Sequence, residues 1–373
     1  MNATSPLAAL ARRSVAVIRA NQATTGAYLA SPNFPVYRYS WFRDGAFIAD
    51  AMSRAGHAAS AEAFFRWCAR VVEARAAKID SLIDRHRAGQ AIGRDEFLHA
   101  RYTVEGDEVA QEWWNFQLDG YGTWLWALAA HFRRTKEANL DPYRIGITLS
   151  VRYLVEFWNE PSYDWWEEHV GQRHTSTLAA LYAGLVEAVD WQRLPADLRA
   201  EAAKAAEAIR QTVLTQGRQD GHLVKWLGGD AVDASLVACA IPFGVLQPDD
   251  PIMTATIAAI ESRLAHGGVH RYLDDTYYGG GEWPLLSALL GWHYVRVGRI
   301  KDAHAQLVWI VRHANAQWDL PEQVADHLLA PEARQAWLDR WGPVATPLLW
   351  SHAMFLTLAL ELGAIKAPIS LGE

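Results

Sequence analysis

Two adjacent glutamates, Glu167 and Glu168, directly follow a pair of tryptophans at positions 165 and 166. Indole rings stack on the apolar C–H faces of sugars, and carboxylates accept hydrogen bonds from sugar hydroxyls. A carboxyl buried among indoles is also a suitable proton donor, because burial disfavours its charged form. The segment is therefore typical of a carbohydrate site. The alternative is a pair of core tryptophans ahead of a solvated acidic helix start.

Two earlier segments repeat this combination of aromatic and acidic residues. In segment 37–45, Arg43 and Asp44 lie beside aromatic residues at the entry to a helix. Asp44 either caps that helix or, together with Arg43, binds adjacent sugar hydroxyls. In segment 112–120, Asp119 follows two tryptophans and a run of amides, and capping of the next helix is its favoured role.

Two later segments complete the set. Segment 271–284 is acidic and aromatic around three glycines, and without a following Lys-Ser or Lys-Thr it does not predict a phosphate loop. Segment 318–323 places Glu322 just beyond a proline. The sequence contains neither a His-Glu-x-x-His motif nor a Gly-x-Ser-x-Gly elbow, and no cysteine and histidine cluster has zinc spacing. If the chain is an enzyme, carboxylates do the chemistry, and neither a metal nor a cofactor is implied.

Composition agrees with a sugar-binding surface. The 373 residues include 18 Trp, far more than core packing normally uses. The net charge of -7, without a basic run, makes nucleic acid an unfavoured partner. Arginines 12 and 13 interrupt any signal-peptide core, and no stretch reaches transmembrane length. Two cysteines, Cys68 and Cys239, are too few for a disulfide framework, so each is expected to be buried in a reduced, cytoplasmic protein without a membrane partner.

The elements that must position these residues are helices, with almost no convincing strand. A Gly56-to-Trp67 spacing of eleven recurs from Gly298 to Trp309, and each glycine falls where one helix must end and the next begin. Antiparallel helical hairpins arranged in a ring predict an all-α, (α/α) barrel formed by one domain, 1–373. Apolar residues recur at helical spacing over 6–20, 44–55, 58–86, 120–136, 143–158, 175–189, 195–216, 231–240, 253–265, 283–297, 300–315, 332–340 and 346–362.

Taken together, the motifs resemble those of the glucoamylase-type glycoside hydrolases, family fifteen. The resemblance runs along most of the chain and keeps the family's order. It implies an (α/α)6 barrel, in agreement with the number of periodic segments. The five matching motifs are Tyr-Ser-Trp-Phe-Arg-Asp-Gly at 39–45, Tyr-Asp-Trp-Trp-Glu-Glu at 163–168, Asp-Asp-Thr-Tyr-Tyr-Gly-Gly-Gly-Glu-Trp-Pro at 274–284, Leu-Pro-Glu-Gln at 320–323 and Leu-Trp-Ser-His at 349–352.

The resemblance also implies roles for individual residues. Glu167 matches the family's general acid and Glu322 its general base. The register of the match at Trp113 is loose, because the adjacent Trp114 fits the same family position. The chain has no room for the additional β-sandwich or starch-binding modules of many members. The residues implied to bind the substrate are Trp41, Arg43, Asp44, Trp113, Trp166, Glu168, Arg271, Asp275 and Trp350.

These roles imply an exo-acting hydrolase that inverts the anomeric configuration and releases β-glucose from the non-reducing end of short α-glucooligosaccharides. Isomaltose-like α-1,6 linkages are favoured for a cytoplasmic enzyme without a starch-binding module. The alternatives are an α-1,4 maltooligosaccharide glucoamylase and a trehalase. A non-catalytic sugar-binding barrel is the alternative from another class, and a sugar epimerase would need a pair of histidines that is not evident.

Overall fold

Helices account for most of the molecule. The computed structural model describes residues 5–109, 111–136 and 139–370, and within these ranges it contains thirteen α-helices and four strands of two residues each. The helices are α1 (Pro6–Ala20), α2 (Phe42–Arg54), α3 (Ala58–Glu73), α4 (Ala76–Arg87), α5 (Asp119–Thr135), α6 (Arg144–Phe157), α7 (Thr175–Asp190), α8 (Ala196–Gln216), α9 (Pro251–Leu264), α10 (Pro284–Arg296), α11 (Ile300–Arg312), α12 (Pro331–Trp341) and α13 (Leu349–Glu361). The antiparallel strand pairs are β1 (Ser40–Trp41) with β2 (Arg101–Tyr102), and β3 (Arg218–Gln219) with β4 (His222–Leu223).

Inner and outer elements alternate along the chain. The inner elements are α2, α5, α7, a short 310 helix at Ala234–Cys239, α10 and α13, and each contacts the next until α13 returns to α2. Around this ring pack the outer helices α1, α3, α6, α8, α9 and α11. Six inner and six outer elements form an (α/α)6 barrel, which confirms the predicted all-α fold class.

Burial follows the same division. Twelve of the 13 residues of α2 are buried, whereas α11 buries only Ala303, Leu307 and Ile310. A helix that is apolar on all sides belongs in the interior, and a helix with one apolar stripe belongs at the surface. Cys68 and Cys239 are both buried, as expected, and both are free thiols. Among the described residues, no helix has the length and the apolar content that crossing a bilayer requires.

The hairpin turns predicted from the two glycines are confirmed. Gly56 has a φ of 88° and Gly298 a φ of 76°. After Gly56, the His57 amide donates to the Met52 carbonyl at 2.8 Å, and the corresponding bond at the second turn joins positions 299 and 294 at the same distance. This 6→1 bond defines a Schellman motif, and its left-handed residue favours glycine because glycine has no Cβ. Both turns therefore reverse the chain within a few residues.

Two predicted helices differ from the structure. The segment 58–86 is divided at Ala74 and Arg75 into α3 and α4. The segment 231–240 forms only the 310 helix Ala234–Cys239, which Asp233 caps by accepting a hydrogen bond from the Ser235 amide. Pro242 follows almost at once and has no amide hydrogen to continue the helix. Periodicity alone does not distinguish so short an apolar run from an α-helix.

Close contact between α5 and α7 depends on two glycines. A Cβ at Gly184 would lie 2.7 Å from the Gly122 carbonyl oxygen, and a Cβ at Gly122 would lie 2.3 Å from the Ala180 carbonyl oxygen. Both distances are shorter than van der Waals contact, and the opposing atoms belong to the backbone. The two inner helices can therefore pack at this separation only without side chains at these positions.

We expect Gly184→Ala to lower the thermal unfolding midpoint, because the added methyl forces α5 and α7 apart. Overpacking of this kind typically costs about 1–3 kcal/mol. The matched control is Gly171→Ala, since Gly171 has ordinary backbone dihedrals and no heavy atom near an added Cβ. Circular dichroism melting of both variants checks the effect, and equal midpoints would contradict the packing argument.

Candidate active site

An aromatic-lined cavity lies where the inner helices α2, α10 and α13 begin. Its volume is about 500 Å3, within the range of small-molecule sites. Four of the charged residues in its walls lie in the first turn of an inner helix or in the loop that precedes one: Arg43 and Asp44 in the first turn of α2, Glu167 in the loop before α7, and Arg271 in the loop before α10. The aromatic residues that line it are Phe34, Tyr37, Trp41, Trp113, Trp114, Trp165, Trp166, Tyr277, Trp283, Trp337, Trp341 and Trp350.

Buried aromatic rings close the inner end of this cavity. Trp350 stacks on Phe47 with ring centroids 5.4 Å apart, and Trp165 packs edge-on against Phe243 at 6.3 Å. The ring centroids of Phe47 and Phe243 are 6.1 Å apart, so these two rings also contact each other. Each of these four residues is at most 5% exposed. Buried rings therefore close the cavity at its inner end, toward the core of the barrel.

Glu167 is held at the cavity wall by two donors from separate elements. The indole nitrogen of Trp41 donates to Glu167 Oε1 at 2.9 Å, and the side-chain amide of Gln117 donates to the same oxygen at 3.0 Å. The Glu167 backbone has a φ of 65°, which is rare for a residue with a side chain. It is fixed by hydrogen bonds of the amides of residues 166 and 168 to Asp164 Oδ1, both at 2.9 Å. Both donors bind Oε1, and neither of them bonds to Oε2 of Glu167.

Glu322, the second predicted catalytic residue, lies in the same cavity and is 4% exposed. The hydroxyl of Tyr37 donates to Glu322 Oε1 at 3.0 Å, and Tyr37 is itself hydrogen-bonded to Tyr277 at 2.8 Å. Oε2 has no hydrogen-bond partner among the described residues. Burial raises the pKa of Glu322 to about 8, although the Tyr37 hydrogen bond and the charge of Arg271 lower it. This carboxyl therefore holds a proton more firmly than an ordinary glutamate does.

Asp44 and Asp119 do not cap helices. Trp41 and Leu118 occupy the N-cap positions of α2 and α5, and neither helix has a side-chain cap. The favoured capping role of Asp119 was wrong, because Arg43 Nη1 contacts Asp119 Oδ2 at 3.0 Å across the ring. Asp44 lines the cavity, and burial raises its pKa to about 6, although Arg43 lowers it.

Arg271 also lines the cavity, and Asp275 supports it from within the protein. Asp275 is 0% exposed, does not line the cavity, and binds the guanidinium through Nε and Nη2. Pairing with Asp275 outweighs the effect of burial and raises the pKa of Arg271. Glu168 accepts hydrogen bonds from Arg271 at 3.4 Å and from the Tyr272 hydroxyl. Asp275 is thus placed to act on a ligand through Arg271.

A buried lysine lies behind the loop that carries the glutamates. Lys225 Nζ is 2.9 Å from Asp233 Oδ2 and 3.3 Å from Asp164 Oδ2, and all three side chains are almost fully buried. Asp233 Oδ2 also accepts a hydrogen bond from the indole nitrogen of Trp166 at 2.8 Å. Removing one partner of a buried charge cluster leaves an uncompensated charge. The cluster therefore ties the loop and Trp166 to the ring.

Both candidate tryptophans of the second segment line the cavity. The guanidinium of Arg101 lies 3.8 Å from the ring centroid of Trp113, while Trp114 is 43% exposed. The predicted substrate residues Trp41, Trp166 and Trp350 line the cavity as well. Four supporting residues were not predicted. Tyr37 and Gln117 belong to segments that the sequence had marked, whereas Arg101 and Lys225 carry no local signal.

Comparison with known proteins agrees with this geometry. The family described as glycosyl hydrolases family 15 matches residues 7–338. The chain belongs to this family. The isomaltose glucohydrolase of Kribbella flavida is 48% identical over 359 residues, covering 95% of this chain and 93% of that protein. The family-15 chain is thus a glycoside hydrolase.

Solved structures extend the family-15 comparison. A structure described as wild-type glycosidase has a TM-score of 0.94 at 47% identity and covers 96% of this chain and 98% of that chain. A bacterial glucoamylase complexed with acarbose has a TM-score of 0.75 at 19% identity, covering 96% of this chain and 56% of that chain. At that identity the likeness shows the shared barrel alone. In the parts of the chain that the structure describes, no group of three His, Cys, Asp or Glu side chains is placed to hold a metal ion.

We expect Glu322→Gln to stabilise this family-15 barrel, and to do so more as pH rises. The folded pKa of about 8 exceeds the ordinary value of 4.5, so the native state binds the proton more tightly between these values. The contribution of the Glu322 carboxyl to the free energy of unfolding is therefore fully present below pH 4.5, and it is lost as the pH rises through 8. An amide carries no such charge.

Urea unfolding at pH 5 and pH 9 measures this difference. We expect Glu322→Gln and the parent protein to differ little at pH 5, with the variant more stable at pH 9. Glu201→Gln, an exposed position on α8, is the control and should show no pH-dependent gain. An equal effect of Glu322→Gln at both pH values would contradict burial as the cause of the raised pKa.

Proposed function

We propose that this protein is an exo-acting, anomer-inverting α-glucosidase that releases β-glucose from the non-reducing end of short α-1,6-linked glucosides. The observation that carries the proposal is the placement of Glu167 and Glu322 in one blind, tryptophan-lined cavity whose deep residues include Arg43 and Asp44. A blind cavity admits a chain end rather than the middle of a polymer. The deep charged residues offer donors and acceptors to the hydroxyls of a terminal glucose.

In the proposed reaction, Glu167 gives its proton to the glycosidic oxygen as the bond to the anomeric carbon breaks. Glu322 takes a proton from the water that attacks the opposite face of that carbon. The products are β-glucose and the shortened alcohol, and the two carboxyls have exchanged their protonation states. The Oε2 atoms suit these roles, because neither accepts a hydrogen bond from the residues that hold Oε1.

One observation favours a second assignment with the two roles exchanged. Burial raises the pKa of Glu322 to about 8, so this carboxyl holds a proton more firmly than an ordinary glutamate and suits proton donation. We prefer Glu167 as the acid because it is the more exposed of the two, closer to the mouth through which a leaving group departs. The family resemblance of the Trp-Trp-Glu-Glu motif supports the same choice.

The proposed linkage rests on a relative that aligns with this protein over most of the length of both chains. That protein is named isomaltose glucohydrolase, and its 48% identity extends over nearly the whole of both chains. A blind cavity of about 500 Å3 suits a short glucoside better than a long branched polymer. Maltooligosaccharides and trehalose are the competing substrates. We propose isomaltose as the preferred substrate of this chain.

We expect Glu167→Gln to lower kcat on isomaltose by about 10²–10⁴-fold, because the leaving sugar then receives no proton. On an aryl α-glucoside with an acidic phenol the loss should be much smaller, since that leaving group needs no proton. Glu187→Gln, near the C-terminus of α7 and paired with Arg133, is the control. Equal losses on both substrates would argue against Glu167 as the acid. The same comparison with Glu322→Gln tests the exchanged assignment.

Proton NMR of fresh product tests stereochemistry and substrate together. We expect the fresh product of isomaltose to contain more β-glucose than the equilibrium mixture, because the non-reducing glucose is released as the β-anomer while the reducing-end glucose is already a mixture of both anomers. Maltose, trehalose and dextran form the comparison panel and should be cleaved more slowly than isomaltose. An initial excess of α-glucose over its equilibrium share would reject inversion, and faster cleavage of maltose or trehalose would reject the proposed linkage. Absence of hydrolysis across the panel would favour a sugar-binding barrel.

A further inference from the structure

One face of α12 lines the cavity. The lining residues of this helix follow the spacing i, i+3, i+4, i+7 and i+8, so they share one face. The opposite face carries exposed polar residues, among which Gln335 donates a hydrogen bond to Asp339 at 2.8 Å. Such a division is usual when the apolar face packs on a core, but here that face borders an open cavity. The five lining residues are Ala333, Ala336, Trp337, Arg340 and Trp341.

Aromatic packing holds α12 in place over the loop before α10. Trp337 stacks on Phe34 with an interplanar angle of 5° and meets Tyr277 edge-on at 5.2 Å. Arg334 donates a hydrogen bond to the Tyr278 hydroxyl at 3.2 Å. Trp337 is 8% exposed and therefore serves as the anchor of the helix. Trp341 is left half-buried, with the guanidinium of Arg340 4.6 Å from its ring centroid.

The exposure of the lining residues gives the cavity a direction. Arg43, Trp350 and Glu322 are 4–5% exposed and mark its deep end. Arg340 is exposed and Trp341 is half-buried, so the C-terminal end of α12 lies at the mouth of the cavity. When a glucosyl group occupies the deep end, the leaving sugar extends toward the mouth, where the C-terminal part of α12 forms one wall.

We propose that Arg340 and Trp341 form the binding site for the leaving sugar, the reducing-end glucose of a short α-glucoside. This assignment rests on the proposed function and adds the residues that recognise the part of the substrate beyond the broken bond. The half-buried indole offers a flat apolar surface for one pyranose face, and the guanidinium beside it offers donors to the ring hydroxyls. The catalytic carboxylates do not take part in this contact.

Paired substrates separate a site for the leaving sugar from a general effect on catalysis. Isomaltose places a sugar beyond the broken bond, whereas α-glucosyl fluoride places only a fluoride there. We expect Trp341→Ala to lower kcat/KM on isomaltose by about tenfold, as expected from the loss of one aromatic contact. On α-glucosyl fluoride kcat/KM should stay within about twofold of the parent value by the same reasoning. Trp341→Phe should recover part of the loss, and Arg340→Met should show the same substrate selectivity.

The control is Trp158→Ala, since Trp158 is half-buried at the end of α6 and does not line the cavity. Melting curves confirm that each variant is folded before its rates are compared. Equal losses on isomaltose and the fluoride, or no loss on isomaltose, would overturn the assignment of Trp341. If the parent protein hydrolyses neither substrate, the proposed function itself fails, and that result is distinct from loss of selectivity in a variant.

Discussion

Burying several carboxylates at one end of a helical ring costs free energy, because each must leave water and lie near others of the same charge. Two buried arginines offset that cost without neutralising the whole group. Arg43 is committed to Asp119 and Gln117, and Arg271 is committed to Asp275. Glu322 receives only a phenol hydrogen bond, so its pKa stays high. The distribution of partners, rather than the number of charges, makes the acidic groups chemically different.

The chain direction of the barrel supports this arrangement. Three inner helices, α2, α10 and α13, begin at the cavity, so their unpaired amides and the positive ends of their dipoles lie near the acidic residues. Side chains in a first turn are also more rigidly placed than side chains on a long loop. Arg43 and Trp350 gain their positions in this way, whereas the loop bearing Glu167 has no helix of its own and depends on Asp164, Lys225 and Asp233.

Local patterns predicted most of the barrel, since helical periodicity and two glycine turns are properties of neighbouring residues. The marked segments also contained both candidate catalytic glutamates. The inner 310 helix at Ala234–Cys239 was mistaken for an α-helix because an apolar run does not reveal its hydrogen-bond pattern. Asp119 was misread because its partner, Arg43, lies 76 positions earlier in the chain. No local pattern predicts the buried role of Lys225, since Asp164 and Asp233 come close to this lysine only in the folded protein.

The turn at Gly298 lies at the opposite end of α10 from Trp283, which lines the cavity. Thirteen helical residues separate them, a distance of about 20 Å at the usual rise per residue. An added Cβ at Gly298 would meet open space, so this turn points into solvent. A tether introduced here, to a resin or to a second enzyme in a fusion, would hold the barrel by its closed end. The cavity mouth would then face the bulk solution, where diffusing sugars enter without crossing the support.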